Sequence, residues 1–233
     1  MTAHTPIDRP IAEESRRVWE RMFAHRASLP TFRERKGDFI SALYQLRARG
    51  RPETIAEIAA LTGRPVDEVA RTLSDRVLGA FYAVSAEGCV GITHERRVHH
   101  GIRVERLRDG LLLEEDALCA PGALGIPFYI GEPVTISARC PVSGREIVVK
   151  ASPNELIDVQ PPEAVAAVVA EGDVDDPLGS TCAIEPFFAS AEVAAGWHAT
   201  HPQADLMPVA DALWGMRQYV SRFRDVPRPG REA

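Results

Sequence analysis

The apolar residues of this chain change their spacing near residue 96, and this change constrains the fold more than any other feature. Segments 11–27 and 38–48 place apolar side chains at helical spacing. From residue 96 onwards apolar and polar residues alternate, and segment 132–151 predicts two strands around a Pro-Val-Ser-Gly turn. The chain therefore predicts a helical N-terminal part followed by a strand-rich C-terminal part.

Two short helices in the N-terminal part predict a helix-turn-helix. The first begins after Pro52 and ends at Gly63, and the second has Pro65 near its first turn. Two short strands around Glu87-Gly88 follow, in the position of a wing. This pattern raises the hypothesis of a winged-helix transcriptional regulator.

The charge of the second helix argues against that hypothesis. The helix carries Asp67, Glu68 and Asp75 against Arg71 and Arg76, which suits a phosphate backbone poorly. The formal net charge of −6 also argues against binding of nucleic acid through the overall field of the protein. We therefore expect a helical packing domain without DNA contact.

The hydropathy pattern leads us to expect a cytoplasmic protein by default. No apolar run is long enough to span a bilayer, and the charged N-terminus has no apolar signal-peptide core, so we expect no membrane partner. Cys89, Cys119, Cys140 and Cys182 form no C-x-x-C pair, which disfavours zinc-finger and thioredoxin-like folds. In a reducing compartment they are free thiols, and each could be a small buried core residue.

The last third of the chain predicts further elements. Segment 164–170 is apolar throughout and fits a buried strand or a helix, whereas 191–199 and 205–224 have helical spacing. The tail 227–233 contains Pro, Gly and charged residues, and we expect it to be disordered.

Three of the cysteines lie beside turns, and their flanking sequences carry a family resemblance. Cys119 lies in LCA, Cys140 in IPFYIGEPVTISARCPVSGREIVVKASPNEL, and Cys182 shortly before FFAS. With these flanks and spacings, the sequence resembles the organomercurial (alkylmercury) lyase family from about Leu43 to Phe223.

The resemblance implies an α+β fold in two domains. Residues 1–95 would form a winged-helix-like helical domain, and residues 96–226 a catalytic domain with a mixed or antiparallel sheet. It also implies a small-molecule partner, either an organomercurial or a soft metal ion, and we expect no cofactor.

The resemblance assigns chemistry to three thiols. The two catalytic cysteines of the family match Cys119 and Cys182, and a third, supporting thiol matches Cys140, so all three are candidate metal ligands. Mercury(II) is a soft cation that prefers linear coordination, and thiolates are soft ligands. Two thiolates on R–Hg⁺ weaken the mercury–carbon bond, and the leaving carbon then requires a proton.

The sequence departs from the family pattern at the residue that carries this proton. The family's aspartate three positions after the first cysteine is Gly122 here, and the second cysteine that often follows the other site thiol is Ala183. Asp116 and Glu185 are the candidate replacements, Asp116 because it would share a helix face with Cys119 if that segment were helical. Each could equally be a solvated surface carboxylate.

These departures leave three functions open. The first is a carbon–mercury lyase with another proton source. The second is a relative with lost or altered chemistry that binds soft metals through its thiols, and the third is the regulator described above. His99, His100, His198 and His201 are further candidate ligands, although scattered histidines usually lie on the surface.

Overall fold

The computed structural model describes residues 5–29, 38–51, 53–74, 78–80, 82–92, 100–173 and 177–223. Its α-helices are α1 (Glu13–Ser28), α2 (Asp38–Ala48), α3 (Ile55–Thr62), α4 (Val66–Leu73), α5 (Ala120–Ile130), α6 (Pro177–Ser180), α7 (Ala191–Thr200) and α8 (Val209–Phe223). Its strands are β1 (Thr5–Pro6), β2 (Tyr82–Val84), β3 (Val90–Ile92), β4 (Ile102–Arg106), β5 (Leu112–Ala117), β6 (Val134–Arg139), β7 (Glu146–Ala151), β8 (Glu155–Gln160), β9 (Val165–Val168), β10 (Phe187–Phe188) and β11 (Asp205–Pro208). The chain is thus α+β.

An antiparallel sheet of six strands forms the centre of the C-terminal part, in the order β1-β8-β7-β6-β4-β5. The predicted hairpin of segment 132–151 is confirmed, because β6 pairs with β7 from Arg139–Glu146 to Val134–Ala151. Gly144 closes its turn with a φ of 70°, a conformation that glycine adopts without a steric cost. Consecutive strands joined by short turns account for most of this sheet.

A second sheet, β10-β9-β11, lies beside helix α5. The segment 164–170, which fitted a strand or a helix, is the central strand of this sheet. Helix α5 is buried at nearly every position and packs against α2, α8 and β9. A helix that is apolar on all sides is expected to be buried in this way, and its N-terminus faces the loop between α6 and β10.

The helices α2 to α4 and the hairpin β2–β3 form a smaller core around Phe39, Leu43 and Ile58. The predicted end of the first short helix is confirmed, since Gly63 follows α3 with a φ of 70°. Thr54 and Cys89 form a single bridge between the segment before α3 and the hairpin. These elements therefore pack as one unit.

Helix α1 belongs to the larger core and not to the smaller one. Its apolar face carries Trp19, which is fully buried, and packs against α8. A Cβ atom on Gly215 of α8 would lie 1.7 Å from the Trp19 ring, so only glycine permits this approach. The predicted boundary at residue 95 groups α1 with the helical part, whereas its packing groups α1 with the C-terminal sheet. The predicted tail, 227–233, lies outside the described residues.

One local prediction is wrong, and the condition attached to another is not met. Segment 205–208 is a strand and the last helix begins only at Val209, because Met207 pairs with the apolar strand β9. The segment before Cys119 is strand β5 and not a helix. None of the described helices is long and apolar enough to cross a membrane.

Candidate active site

Cys119 is the N-cap residue of helix α5. Its backbone is extended, with φ −159° and ψ 166°, and its sulfur accepts a hydrogen bond from the Gly122 N–H at 3.4 Å. Pro121 supports this start because its fixed φ suits the first helical turn and its missing N–H is not needed there. The sulfur thus lies at the positive end of a buried helix, and Cys119 is only 6% exposed.

Cys182 begins a 3-10 turn, Cys182–Ile184, that follows α6. It is buried, and the hydroxyl of Thr181 donates to its sulfur at 3.8 Å. Its backbone carbonyl accepts a hydrogen bond from Nε2 of His100 at 2.7 Å. The thiol of this turn is therefore buried, and the residue is contacted both by its neighbour Thr181 and by the distant His100.

Glu185 ends the same turn and is only 4% exposed. Its Oε1 atom accepts a hydrogen bond from the Val169 N–H at 2.8 Å, and its backbone carbonyl accepts one from the Ala120 N–H at 2.8 Å. The second bond ties the turn to the first residue of α5, directly after Cys119. These two bonds bring the carboxyl group to the two thiols.

Cys119, Cys182 and Glu185 meet at one buried point. Their sulfur and carboxyl oxygen atoms all lie within 4.8 Å of one another, and they are a group of three potential metal ligands within the described part of the chain. Two metal–sulfur bonds of about 2.3 Å, the length found for zinc thiolates, span about 4.6 Å in a straight line. The limit of 4.8 Å therefore leaves room for one soft cation between two sulfurs, with an oxygen beside it.

Burial and neighbouring negative charge keep protons in this site. The sulfur of Cys182, burial and the Glu185 carboxylate raise the pKa of the Cys119 thiol well above its usual value. Burial raises the pKa of Glu185, against the opposing effects of the Val169 N–H, the Cys119 thiol and the charge of Arg26. The Cys119 thiol and the Glu185 carboxyl group therefore each hold a proton more firmly than they would in water.

Asp116 is placed differently from its prediction. It lies in strand β5, which ends at Ala117, so the segment is not helical and the shared helix face with Cys119 does not exist. The side chains of residues 114–116 lie outside the described part of the structure. The catalytic role of Asp116 therefore stays a prediction, but the helical spacing that supported it is absent.

Cys140 is buried in the turn after β6 and is not a member of the cluster of Cys119, Cys182 and Glu185. Burial acts to raise the pKa of Cys140, but donors from Ser143 and the backbone outweigh it and hold the pKa below its usual value. These bonds suit a supporting thiol, and the metal-ligand role of Cys140 stays a prediction. The exposed thiol, Cys89, lies beside β3.

The candidate histidines do not join the cluster in the part of the chain that is described. Nε2 of His100 is engaged by the Cys182 carbonyl, and the ring of His201 stacks on Trp197, 4.3 Å between centroids. His99 lies outside the described residues. Ligation by these histidines was one of the open alternatives, and the described geometry does not support it.

The sequence analysis did not name Arg26, and it named His100 only as a candidate metal ligand, not as a residue that contacts the backbone of Cys182. His100 contacts the backbone of Cys182 from a position far away in sequence, and Arg26, on α1, acts on Glu185 by its charge. The neighbouring His25 contacts the Gly172 carbonyl at 3.2 Å, which holds the end of α1 against the loop before α6. A pattern within one segment cannot reveal such contacts, because each depends on the fold.

Two buried thiols and a carboxyl group that converge in an α+β chain are a ligand set that could hold a soft cation beside an acid. A sequence model described as "MerB: Alkylmercury lyase" matches residues 114–219. The alkylmercury lyase of Staphylococcus epidermidis is 30% identical over 186 residues, which cover 78% of this chain and 82% of that protein. That of Streptomyces lividans is 30% identical over 170 residues, 73% of this chain and 76% of that protein. This chain belongs to the alkylmercury lyase family.

A solved structure of similar fold is the crystal structure of the mercury-bound form of MerB2. It aligns with a TM-score of 0.64 and 20% identity, and covers 88% of this chain and 98% of that one. At this identity the likeness concerns the fold, and it agrees with the α+β architecture described above.

Proposed function

We propose that this protein cleaves carbon–mercury bonds by protonolysis, with Cys119 and Cys182 as mercury ligands and Glu185 as the proton carrier. The observation that carries the proposal is the approach of two sulfurs and one carboxyl oxygen to within 4.8 Å of one another. Membership of the family supports an organomercurial as the substrate.

Cys182 attacks first. Cys119 holds its proton tightly because the sulfur of Cys182 and the carboxylate of Glu185 raise its pKa. The thiol of Cys182 displaces the anion X⁻ from R–Hg–X, loses its proton to solvent together with X⁻, and forms an S–Hg–R adduct, in keeping with the soft character of both partners. Mercury then lies within reach of the second sulfur.

Cys119 binds next and transfers its proton to Glu185. Its thiol forms a hydrogen bond with the Glu185 side chain that stabilises the carboxylate and works to lower the pKa of Glu185. As the sulfur of Cys119 forms its bond to mercury, the S–H proton passes to the carboxylate. Mercury now has two thiolate ligands and one carbon ligand, and Glu185 is a neutral acid.

Glu185 completes the reaction by protonating the leaving carbon. The electron pair of the Hg–C bond forms the new C–H bond, the hydrocarbon leaves, and Glu185 returns to its carboxylate form. Mercury(II) is left between the two thiolates, and the proton that began on Cys119 ends in the hydrocarbon. A buried acid with a raised pKa suits this role, since its neutral form is more stable than that of an exposed carboxyl group and it can return the proton to the carbon.

Gly122 favours the second candidate function, a metal-binding relative without lyase activity, because the family's aspartate is absent there. The buried Glu185 carboxyl argues for the lyase instead, since an acid lies within reach of both sulfurs.

We also propose that α2 to α4 and β2–β3 form a winged-helix-like unit that packs without binding DNA. The protein would work in the cytoplasm, where thiols stay reduced.

The test is a single-turnover reaction with phenylmercury acetate, in which benzene and protein-bound mercury(II) are both quantified. The proposal expects one benzene for each mercury(II), strong loss in Cys119→Ser and in Cys182→Ser, and little change in Cys89→Ser, the matched control. Tight capture of phenylmercury without benzene would establish the metal-binding function instead. Equal losses in all three variants would mean that the effect is generic thiol chemistry.

A further inference from the structure

The segment from Cys182 to Pro186 accepts four hydrogen bonds from other parts of the chain. Main-chain N–H groups of helix α5 and of the β9 region donate to it, and one side chain does so as well. The bonds are Ala120 N–H to Glu185 O at 2.8 Å, Ala167 N–H to Pro186 O at 3.0 Å, Val169 N–H to Glu185 Oε1 at 2.8 Å, and His100 Nε2 to Cys182 O at 2.7 Å.

The bond from His100 differs from the others in two respects. It is made by a side chain, so a substitution can remove it, and it holds the peptide group of Cys182 itself. His100 also lies outside residues 114–219, the region that the family's sequence model matches. The contact therefore joins the segment before β4 to the thiol that attacks first.

The chemistry of the two atoms determines how this bond is made. A carbonyl oxygen can only accept, so Nε2 of His100 must carry the proton and donate it. With its Nε2 lone pair absent, the ring cannot bind a cation through that atom, and the bond acts as a restraint on the Cys182 peptide. At 2.7 Å the bond is at the short end of the usual range.

We propose that His100 is a positioning residue for Cys182, holding the peptide of that cysteine so that its sulfur stays within reach of mercury shared with Cys119 and Glu185. This inference rests on the proposed function, but its effect on mercury(II) retention does not require carbon–mercury cleavage. Without the donor the turn loses its restraint at Cys182, while the bonds at Glu185 and Pro186 remain.

The main test compares His100→Phe with His100→Gln. The glutamine amide can place a donor near the position of Nε2, whereas phenylalanine keeps the ring and removes the donor. Single-turnover benzene release is expected to fall about 10- to 100-fold in His100→Phe, the scale of a misplacement of about 1 Å, and to return to within about threefold of wild type in His100→Gln. His201→Phe is the matched control, since the ring of His201 hydrogen-bonds the Trp197 carbonyl at 3.0 Å.

A second measurement uses mercury(II) alone and separates this inference from the lyase function. The protein is loaded with mercuric chloride, and the rate at which a competing dithiol removes the ion is followed. Removal is expected to be about tenfold faster in His100→Phe, and near the wild-type rate in His100→Gln. This measurement retains its meaning even if the wild-type protein releases no benzene.

A shorter amide guards against a folding artefact. Asparagine carries the same donor as glutamine but cannot reach the Cys182 carbonyl, so His100→Asn is expected to behave like His100→Phe while its circular dichroism matches that of His100→Gln. If His100→Phe retains mercury and releases benzene like the wild type, the inference is overturned. Equal impairment of His100→Gln and His100→Asn would overturn it as well, because the donor would then not matter.

Discussion

At the scale of single residues, the site contains an acid that comes from an unexpected position. Gly122 follows Cys119 where the family pattern has an aspartate, and Glu185 approaches the same sulfurs from the turn that carries Cys182. A proton donor needs only the correct position and pKa. The acid can therefore be carried either by the first turn of α5 or by the turn after Cys182. The resemblance alone therefore pointed to a lost acid, whereas the structure places a carboxyl group next to both thiols.

Gly122 and Glu185 provide a test of this exchange. Gly122 lies in helix α5 without a positive φ, and a Cβ atom there would meet the Cys119 sulfur at 3.3 Å, a tight contact that a small shift relieves. We expect Gly122→Asp to restore benzene release in a Glu185→Gln background by at least tenfold, and to add little to the wild type. Non-additivity of this kind is expected of residues that share one role.

The measurement is single-turnover benzene release in the four proteins of the double-mutant cycle. Mercury(II) affinity serves as the control and should change little, since both sulfurs are retained. Additive effects of the two substitutions would show that the carboxyl groups do not share a role.

Arg26 gives a prediction about pH. Burial raises the pKa of Glu185, and the charge of Arg26 opposes this increase. Glu185 must start as a carboxylate to accept the thiol proton, so kcat/KM should rise as pH rises through its pKa. Arg26→Met removes the opposing charge, so the pKa should rise further and this limb of the profile should move to higher pH.

The pH profile of kcat/KM checks this, with Arg26→Lys as the variant that keeps the charge. Arg21→Met is the matched control, because Arg21 is on the same helix and pairs with Asp205 at 2.7 Å on the surface. If kcat/KM of Arg26→Met rises at the same pH as that of the wild type, Arg26 does not influence the pKa of Glu185. A shift to lower pH would reverse the sign of its effect and contradict the mechanism.

At the scale of secondary-structure elements, the site is formed where three elements meet. Helix α5 begins at Cys119, the 3-10 turn carries Cys182 and Glu185, and β9 ends just before Val169, which donates to Glu185. Helix α1 packs beside these elements, since His25 in its last turn contacts the Gly172 carbonyl. The placement of Arg26 therefore depends on how α1 docks.

The docking of α1 depends on Gly215. Because a Cβ atom there would lie 1.7 Å from the ring of the fully buried Trp19, Gly215→Ala should cost about 1–3 kcal/mol of folding free energy. Thermal unfolding measures this as a drop of roughly 2–4 °C per kcal/mol. Gly196→Ala, in α7 with nothing within 4 Å of the added atom, is the control and should be neutral or stabilising. Equal melting temperatures for both variants would contradict this packing.

At the scale of the whole molecule, local patterns predicted the elements better than their contacts. The end of α3 at Gly63 and the hairpin at Gly144 were predictable, because glycine permits the positive φ found at both. The strand at 205–208 was not, since its apolar residues also fit a helix and pairing with β9 decides between the two.

The same distinction holds for the site. Cys119 and Cys182 were predictable from the family resemblance, and Glu185 only as one of two nearby acids. Asp116 was predicted with equal weight because strand β5 was interpreted as a possible helix. His100, Arg26 and the packing of α1 into the larger core depend on contacts between distant segments, which no pattern within one segment contains.

The most direct test of the account is the rate of benzene release from phenylmercury in a single turnover, compared between the wild type and Glu185→Gln. Glutamine keeps the oxygen that accepts from the Val169 N–H but cannot carry the proton. Loss of a positioned acid typically costs about 10²–10⁴-fold. The account predicts a decrease of that size, with the first capture of phenylmercury, by Cys182, unchanged. A Glu185→Gln variant that captures phenylmercury and releases benzene as fast as the wild type would contradict it.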